Sequence, residues 1–200
     1  YSNLGCFYHS KKRFNEAIKF YSKALEIFPN HPEANFSIGN AYRDIGKIEM
    51  ALIHLKKAVL YKNDYFDAHL NLSKLLIKKG KIIESLSHLK KIVEAKNINP
   101  NVVLNAGKVY LELELFDDAI SVFSDLIKNN INQVKAKIEL ISAKKQICCW
   151  DNYEIESREI KQFCKSQKNN DNNTFMYFED NQEIQFQLAK SYAHKRFKNI

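Results

Sequence analysis

Residues 36–55 read FSIGNAYRDIGKIEMALIHL, and their order of small, apolar and polar residues returns 34 positions later in LNLSKLLIKKGKIIESLSHL (70–89). It returns again in LNAGKVYLELELFDDAISVF (104–123), and it is already present in SNLGCFYHSKKRFNEAIKFY (2–21). One column of small residues, Gly5, Gly39, Ser73 and Gly107, would be weak evidence, but several columns share the period. Leu4, Ile38, Leu72 and Ala106 precede it, and Tyr8, Tyr42, Leu76 and Tyr110 follow three positions on. These mark a first helix. A second is marked by Phe14, Ile48, Ile82 and Phe116, by Ala17, Ala51, Ser85 and Ala119, and by Tyr21, Leu55, Leu89 and Phe123. Within each helix the apolar columns step by three and four, the spacing of one buried helical stripe, and no segment alternates like a half-buried strand. The expectation is an all-α chain of helical hairpins.

The small column has a steric reading, because helix separation depends on side-chain size where two helices cross. Gly46 and Gly80 fall between the helices of the second and third hairpins, and Pro29, Pro32 and Pro100 fall between repeats, where proline's fixed φ and missing donor do least harm. With these columns on the page, the chain resembles the tetratricopeptide repeat family, whose repeats have this period. The resemblance covers 1–136 as four repeats, the first truncated at its start. It implies a tetratricopeptide-repeat superhelix, an α-solenoid with a lengthwise inner groove, followed by a capping or linker helical segment over 137–200. Tyr1 stands inside the expected first helix, which reads as a piece of a longer protein.

Composition narrows the function classes. The chain has 200 residues, 45% of them hydrophobic, and a formal net charge of +8. That charge invites a nucleic-acid reading, but the lysines are scattered over turns and outer helical faces, as in Lys56, Lys57, Lys78, Lys79, Lys90 and Lys91. The aromatic residues that would stack on bases sit in core columns. Neither nucleic acid nor membrane is expected as a partner, since no apolar run is long enough to cross a bilayer. Cys6, Cys148, Cys149 and Cys164 lack metal-ligand or paired-disulfide spacing, which points to reduced thiols and a cytoplasmic setting. The six histidines are dispersed, so no metal site is expected. No catalytic residue can be named.

Binding residues are expected on the first helices. The column before the apolar one reads Asn3, Ser37, Asn71 and Asn105, and three positions later stand Cys6, Asn40, Lys74 and Lys108, with Arg43 one turn beyond Asn40. A carboxamide offers donors and an acceptor together, so such a row can pair with the backbone of an extended peptide whatever its side chains are. Arg43, Lys74 and Lys108 would favour acidic or phosphorylated segments. The expected partners are therefore extended protein or peptide segments, held by Asn3, Asn40, Arg43, Asn71, Lys74, Asn105 and Lys108.

After about Lys135 the repeat decays: Ile141 occupies the small-residue column, and its bulk predicts that this hairpin no longer stacks like the others. Asp151 can cap a helix over 151–165, 167–173 is a polar loop, and a last helix is expected over 181–197. Trp150 reads as an anchor plugging the junction between repeats and following helices, a burial of several kcal/mol at ~25 cal/mol per Å². The run Gln146-Ile147-Cys148-Cys149-Trp150-Asp151-Asn152-Tyr153, then Phe175 to Phe178, then Gln185 through Phe197, resembles the segment joining repeats to the catalytic half in the O-GlcNAc transferase family.

That resemblance implies a superhelix whose asparagine row, here Asn3, Asn71 and Asn105 with Ser37 departing, presents protein substrates to a C-terminal domain using a UDP-sugar donor. That domain would follow Ile200, so this chain needs no cofactor and is non-catalytic alone. The 169–175 loop lacks the histidine-containing motif of animal-type members, which points either away from transfer chemistry or to a bacterial-type branch. A second reading stays open, a free-standing tetratricopeptide adaptor that assembles other proteins.

Overall fold

The computed structural model describes residues 1–129 and 133–147. Among them lie nine α-helices and no strand: α1 (Ser2–Ser10), α2 (Phe14–Ile27), α3 (Pro32–Asp44), α4 (Ile48–Tyr61), α5 (Phe66–Lys78), α6 (Ile82–Glu94), α7 (Pro100–Glu112), α8 (Phe116–Lys128) and α9 (Gln133–Gln146). The all-helical repeat fold expected from the periodicity is therefore present. Two compact units divide the chain, Tyr1–Ala106 and Gly107–Ile200.

In the first unit each helix packs on the next from α1 to α6, and α1 also touches α3. The cores are continuous from hairpin to hairpin. Ala17 and Tyr21 of α2 pack with Ile38 of α3, joined by Tyr8, Leu25 and Tyr42. Ala51, Leu52 and Leu55 of α4 pack with Leu72, Leu75 and Leu76 of α5, with Phe36, Ile48 and Val59 at the margin. On α4 this is a stripe at 48, 52, 55 and 59, so one helical face meets both its own hairpin and the next. Burying one such leucine fully is worth about 1.5–3 kcal/mol. The second helices each begin with an acid in the first turn, Glu16, Glu49, Glu84 and Asp117 with Asp118, where negative charge suits the helix dipole.

The small-residue column works by accommodating one large side chain. A Cβ added at Gly39 would lie 2.8 Å from Leu55 Cγ, and one at Gly107 would lie 2.5 Å from the Phe123 ring. Gly5 lies likewise under the Tyr21 ring. Ser73 fills the column in the third hairpin, fully buried, and its hydroxyl donates to the Leu70 carbonyl at 2.8 Å.

Between the helices of every hairpin one residue turns to positive φ at the same column: Lys12 (60°), Gly46 (80°), Gly80 (72°) and Glu114 (58°). The following N–H closes the helix end on the carbonyl five residues back, Arg13 to Tyr8 (2.9 Å), Lys47 to Tyr42 (2.8 Å), Lys81 to Leu76 (2.9 Å) and Leu115 to Tyr110 (3.0 Å). Pro32 and Pro100 are not between helices but are the first residues of α3 and α7, a position where no N–H is needed.

In the second unit α9 packs on α8. Ala136, Leu140, Ile141 and Ala143 are buried, as are Ala119, Val122, Phe123 and Leu126. Ile141, whose bulk predicts a change in stacking, is 2% exposed, and the second helix of its hairpin, on which that expectation turns, lies outside the described residues. Trp150, the two cysteines before it and the helices expected over 151–165 and 181–197 lie outside the described residues.

Candidate functional site

Side chains of successive first helices join into one polar wall within the first unit. Asn71 of α5 donates from Nδ2 to Oδ1 of Asn40 on α3 at 2.8 Å. The same oxygen accepts from Arg43 Nη1 at 3.2 Å. Arg43 also grips Asp44, Nε to Oδ1 at 2.9 Å and Nη2 to Oδ1 at 2.8 Å. The other Asp44 oxygen lies 3.1 Å from His9 Nε2 of α1, a close approach without hydrogen-bond angles. His9, Asp44, Arg43, Asn40 and Asn71 thus form an unbroken row over α1, α3 and α5.

This geometry assigns chemistry to the atoms left over. The Asn40 oxygen is occupied twice, so that residue presents N–H donors, whereas Asn71 keeps its carbonyl and one N–H. Arg43 is largely neutralised by Asp44. Lys108 pairs with Glu139 at 2.7 Å in the second unit. Lys74 is the residue of the three cations that stands exposed with no partner among the described residues. Asn3 is exposed, and Ser37 and Asn105 are half-buried. The structure therefore joins Asn40, Arg43 and Asn71 directly, puts Asn3, Lys74 and Asn105 at the matching columns without side-chain contacts to them, and leaves Trp150 undescribed.

Two polar pairs inside the hairpins were not visible in the sequence pattern. Asn35, fully buried, accepts from His54 Nδ1 at 3.1 Å and donates to the His31 carbonyl at 3.0 Å. One period later His69, 1% exposed, meets His88, Nδ1 to Nδ1 at 2.8 Å, while its Nε2 lies 3.0 Å from the Asn63 carbonyl. A carbonyl can only accept, so His69 carries its proton on Nε2 and the neutral pair requires His88 to donate from Nδ1. Burial, then repulsion from His69, pushes His88 down to about 4; burial also lowers His69 and His54. The signal that could have found these pairs is the 34-residue spacing of Asn35 to His69 and of His54 to His88.

Among the described residues no group of three His, Cys, Asp or Glu side chains could hold a metal ion. No helix among them is long and apolar enough to cross a membrane. The wall of the first unit presents carboxamides, one guanidinium and one ammonium.

Comparison with known proteins agrees with the helical-hairpin geometry. Residues 1–31 and 20–53 match family models described as tetratricopeptide repeat, and 39–80 match one described as TPR repeat. The chain carries tetratricopeptide repeats. It is similar to the protein O-mannosyl-transferase TMTC2 of Mus musculus, 34% identical over 77 residues, and to that of Homo sapiens, 31% identical over 77 residues. These matches take in 37% of this chain but 9% of the length of those relatives. In structure it is similar to MamA (TM-score 0.67, 21% identity, covering 84% of this chain and 94% of that one). It is also similar to YrrB, described as a TPR protein with an unusual peptide-binding site (TM-score 0.63, 18% identity, 88% of each chain). At such identities the likeness speaks for the fold.

Proposed function

We propose that the chain is a protein-binding repeat region whose first-helix wall holds extended polypeptide segments. The observation that carries this is the row from His9 to Asn71, which fixes donors and an acceptor of Asn40 and Asn71 in place across three hairpins. A peptide backbone offers a carbonyl and an N–H per residue, so preset carboxamides can engage it without selecting side chains. Arg43 and Asp44 brace Asn40, reducing the ordering cost of binding. Lys74 adds a local preference for acidic or phosphorylated segments. Asn3 and Asn105 would extend the same contact, and the peptide-binding site in YrrB's description is in keeping with this use of the fold.

The parent protein, in this reading, is a protein glycosyltransferase of the O-GlcNAc transferase type. Residues 1–136 select acceptors in the cytoplasm, 137–200 serve as linker with Trp150 as its anchor, and transfer from a UDP-sugar takes place in a further domain. Support comes from the similarity to O-mannosyl-transferases and from the order of residues over 146–197. The test has two parts. Fluorescence anisotropy with an unstructured acidic peptide should give saturable binding to this chain, weakened by Asn71→Ala. The polypeptide extended beyond residue 200, given radiolabelled UDP-N-acetylglucosamine, should label a protein acceptor; binding without any transfer would leave the adaptor reading in its place.

A further inference from the structure

The outer sides of the second helices can be compared column by column through the 34-residue register. At the column of Met50 the other repeats carry Glu16, Glu84 and Asp118. At the column of Ile53 they carry Lys19, Ser87 and Ser121, and at that of Leu60 they carry Glu26, Glu94 and Lys128. Polar or charged residues therefore hold all three columns in α2, α6 and α8, whereas apolar residues hold all three in α4. Met50 is 38%, Ile53 48% and Leu60 75% exposed. A single exposed leucine calls for no explanation. Three coincident replacements on one helix do, because the core is supplied from its other side by Ala51, Leu52, Leu55 and Ala58.

Met50, Ile53 and Leu60 follow steps of three and seven, and with Lys57 between them they share one face of α4, about 15 Å long. Lys57 is exposed, with no carboxylate partner among the described residues. The acids beside it are committed elsewhere, Glu84 to Lys56 at 2.6 Å and Glu49 to Lys79. The face is thus an apolar line with one open positive charge inside it, complementary to apolar residues that carry a carboxylate among them. A second copy of the chain does not supply this. Two-fold pairing sets a patch on itself, so Lys56 and Lys57 of both copies would crowd without a free acid, on chains of net charge +8. A lipid surface calls for a wider apolar face with a basic edge, and here Lys56 on the edge is already held by Glu84.

We propose that the Met50, Ile53 and Leu60 face of α4 is a docking surface for an acidic amphipathic helix of a different protein. That helix lays apolar residues at i, i+3 or i+4 and i+7 along the line and sets a carboxylate against Lys57. The wall of Asn40 and Asn71 belongs to first helices and this face to a second helix, so the two surfaces are separate and either can fail alone.

The test titrates the full chain, read by amide NMR, with a helical peptide about 18 residues long, since shorter isolated helices are marginal in water. The peptide carries leucine along one face and glutamate along both edges of that face. Saturable shifts should centre on α4 between Met50 and Leu60. The Met50→Gln, Ile53→Ser, Leu60→Gln triple variant follows the polar residues of α6 without adding charge, so it keeps the fold. It should weaken this peptide at least about tenfold and leave the affinity of the wall for an unstructured acidic peptide unchanged. A glutamine-for-glutamate version of the helical peptide should bind about threefold more weakly to the unaltered chain, a difference that Lys57→Gln removes. Absence of saturation at millimolar peptide, shifts centred off α4, binding that the triple variant leaves intact, or equal affinity of the two helical peptides would each overturn the proposal. So would a concentration-dependent dimer that the triple variant dissolves, because the occupant would then be a second copy. Co-sedimentation with phosphatidylserine vesicles that the triple variant abolishes would overturn it in favour of a lipid surface.

Discussion

The seam inside each hairpin and the wall along the first helices obey different physics. At the seam size decides: Gly39 lies under Leu55 and Gly107 under Phe123, with no room for a methyl group. Along the wall hydrogen bonding decides, and the same column holds Asn3, Ser37, Asn71 and Asn105 without disturbing the helices beneath. The seam thus accounts for the period and the fold, while the wall can vary between repeats and carry recognition. Damage to one should leave the other's readout intact.

The largest effect belongs to the seam. Gly39→Leu must displace Leu55 or the α4 backbone at Ala51, and should cost about 3 kcal/mol, measured as a lowered urea midpoint. Acid comes next, through the polar exception in the third hairpin. His88 and His69 have folded pKa values below 6.5, so between pH 6.5 and about 4 the unfolded chain binds more protons than the folded one. Stability is therefore whole above pH 6.5 and declines as pH falls; for His88 alone, discounted for its partly exposed ring, the loss by pH 5 is about 1–2 kcal/mol. Replacing both with valine, as Val103 and Val122 stand at these columns one repeat on, should flatten that decline in pH-dependent melts.

These pairs also mark what the sequence could and could not tell. The glycine column, Gly46 and Gly80 were legible because their residue types announce a close approach or a left-handed turn. Lys12 and Glu114 adopt the same positive φ, but their identities do not show it. The Asn40 and Asn71 columns were readable separately. Their direct bond was not, because they sit three columns apart and meet only when α3 and α5 lie side by side.

A wall substitution should reverse the pattern of Gly39→Leu. Asn71→Ala removes one bond to Asn40 and should weaken binding of an acidic unstructured peptide several-fold, about 1 kcal/mol, with the thermal melt nearly unmoved. The smallest effect is a gain at the turns: Lys12→Gly and Glu114→Gly relieve left-handed backbone strain and should each add about 0.5–1 kcal/mol, read from urea midpoints without any change in peptide affinity.

The most direct measurement is an amide and side-chain NMR titration of the chain with that peptide. The account predicts shifts concentrated at Asn40, Arg43, Asn71 and Lys74, including the carboxamide protons of Asn40 and Asn71, with the outer residues of α2, α4 and α6 still. Saturable binding whose shifts fall on those second helices, sparing the two carboxamides, would contradict it.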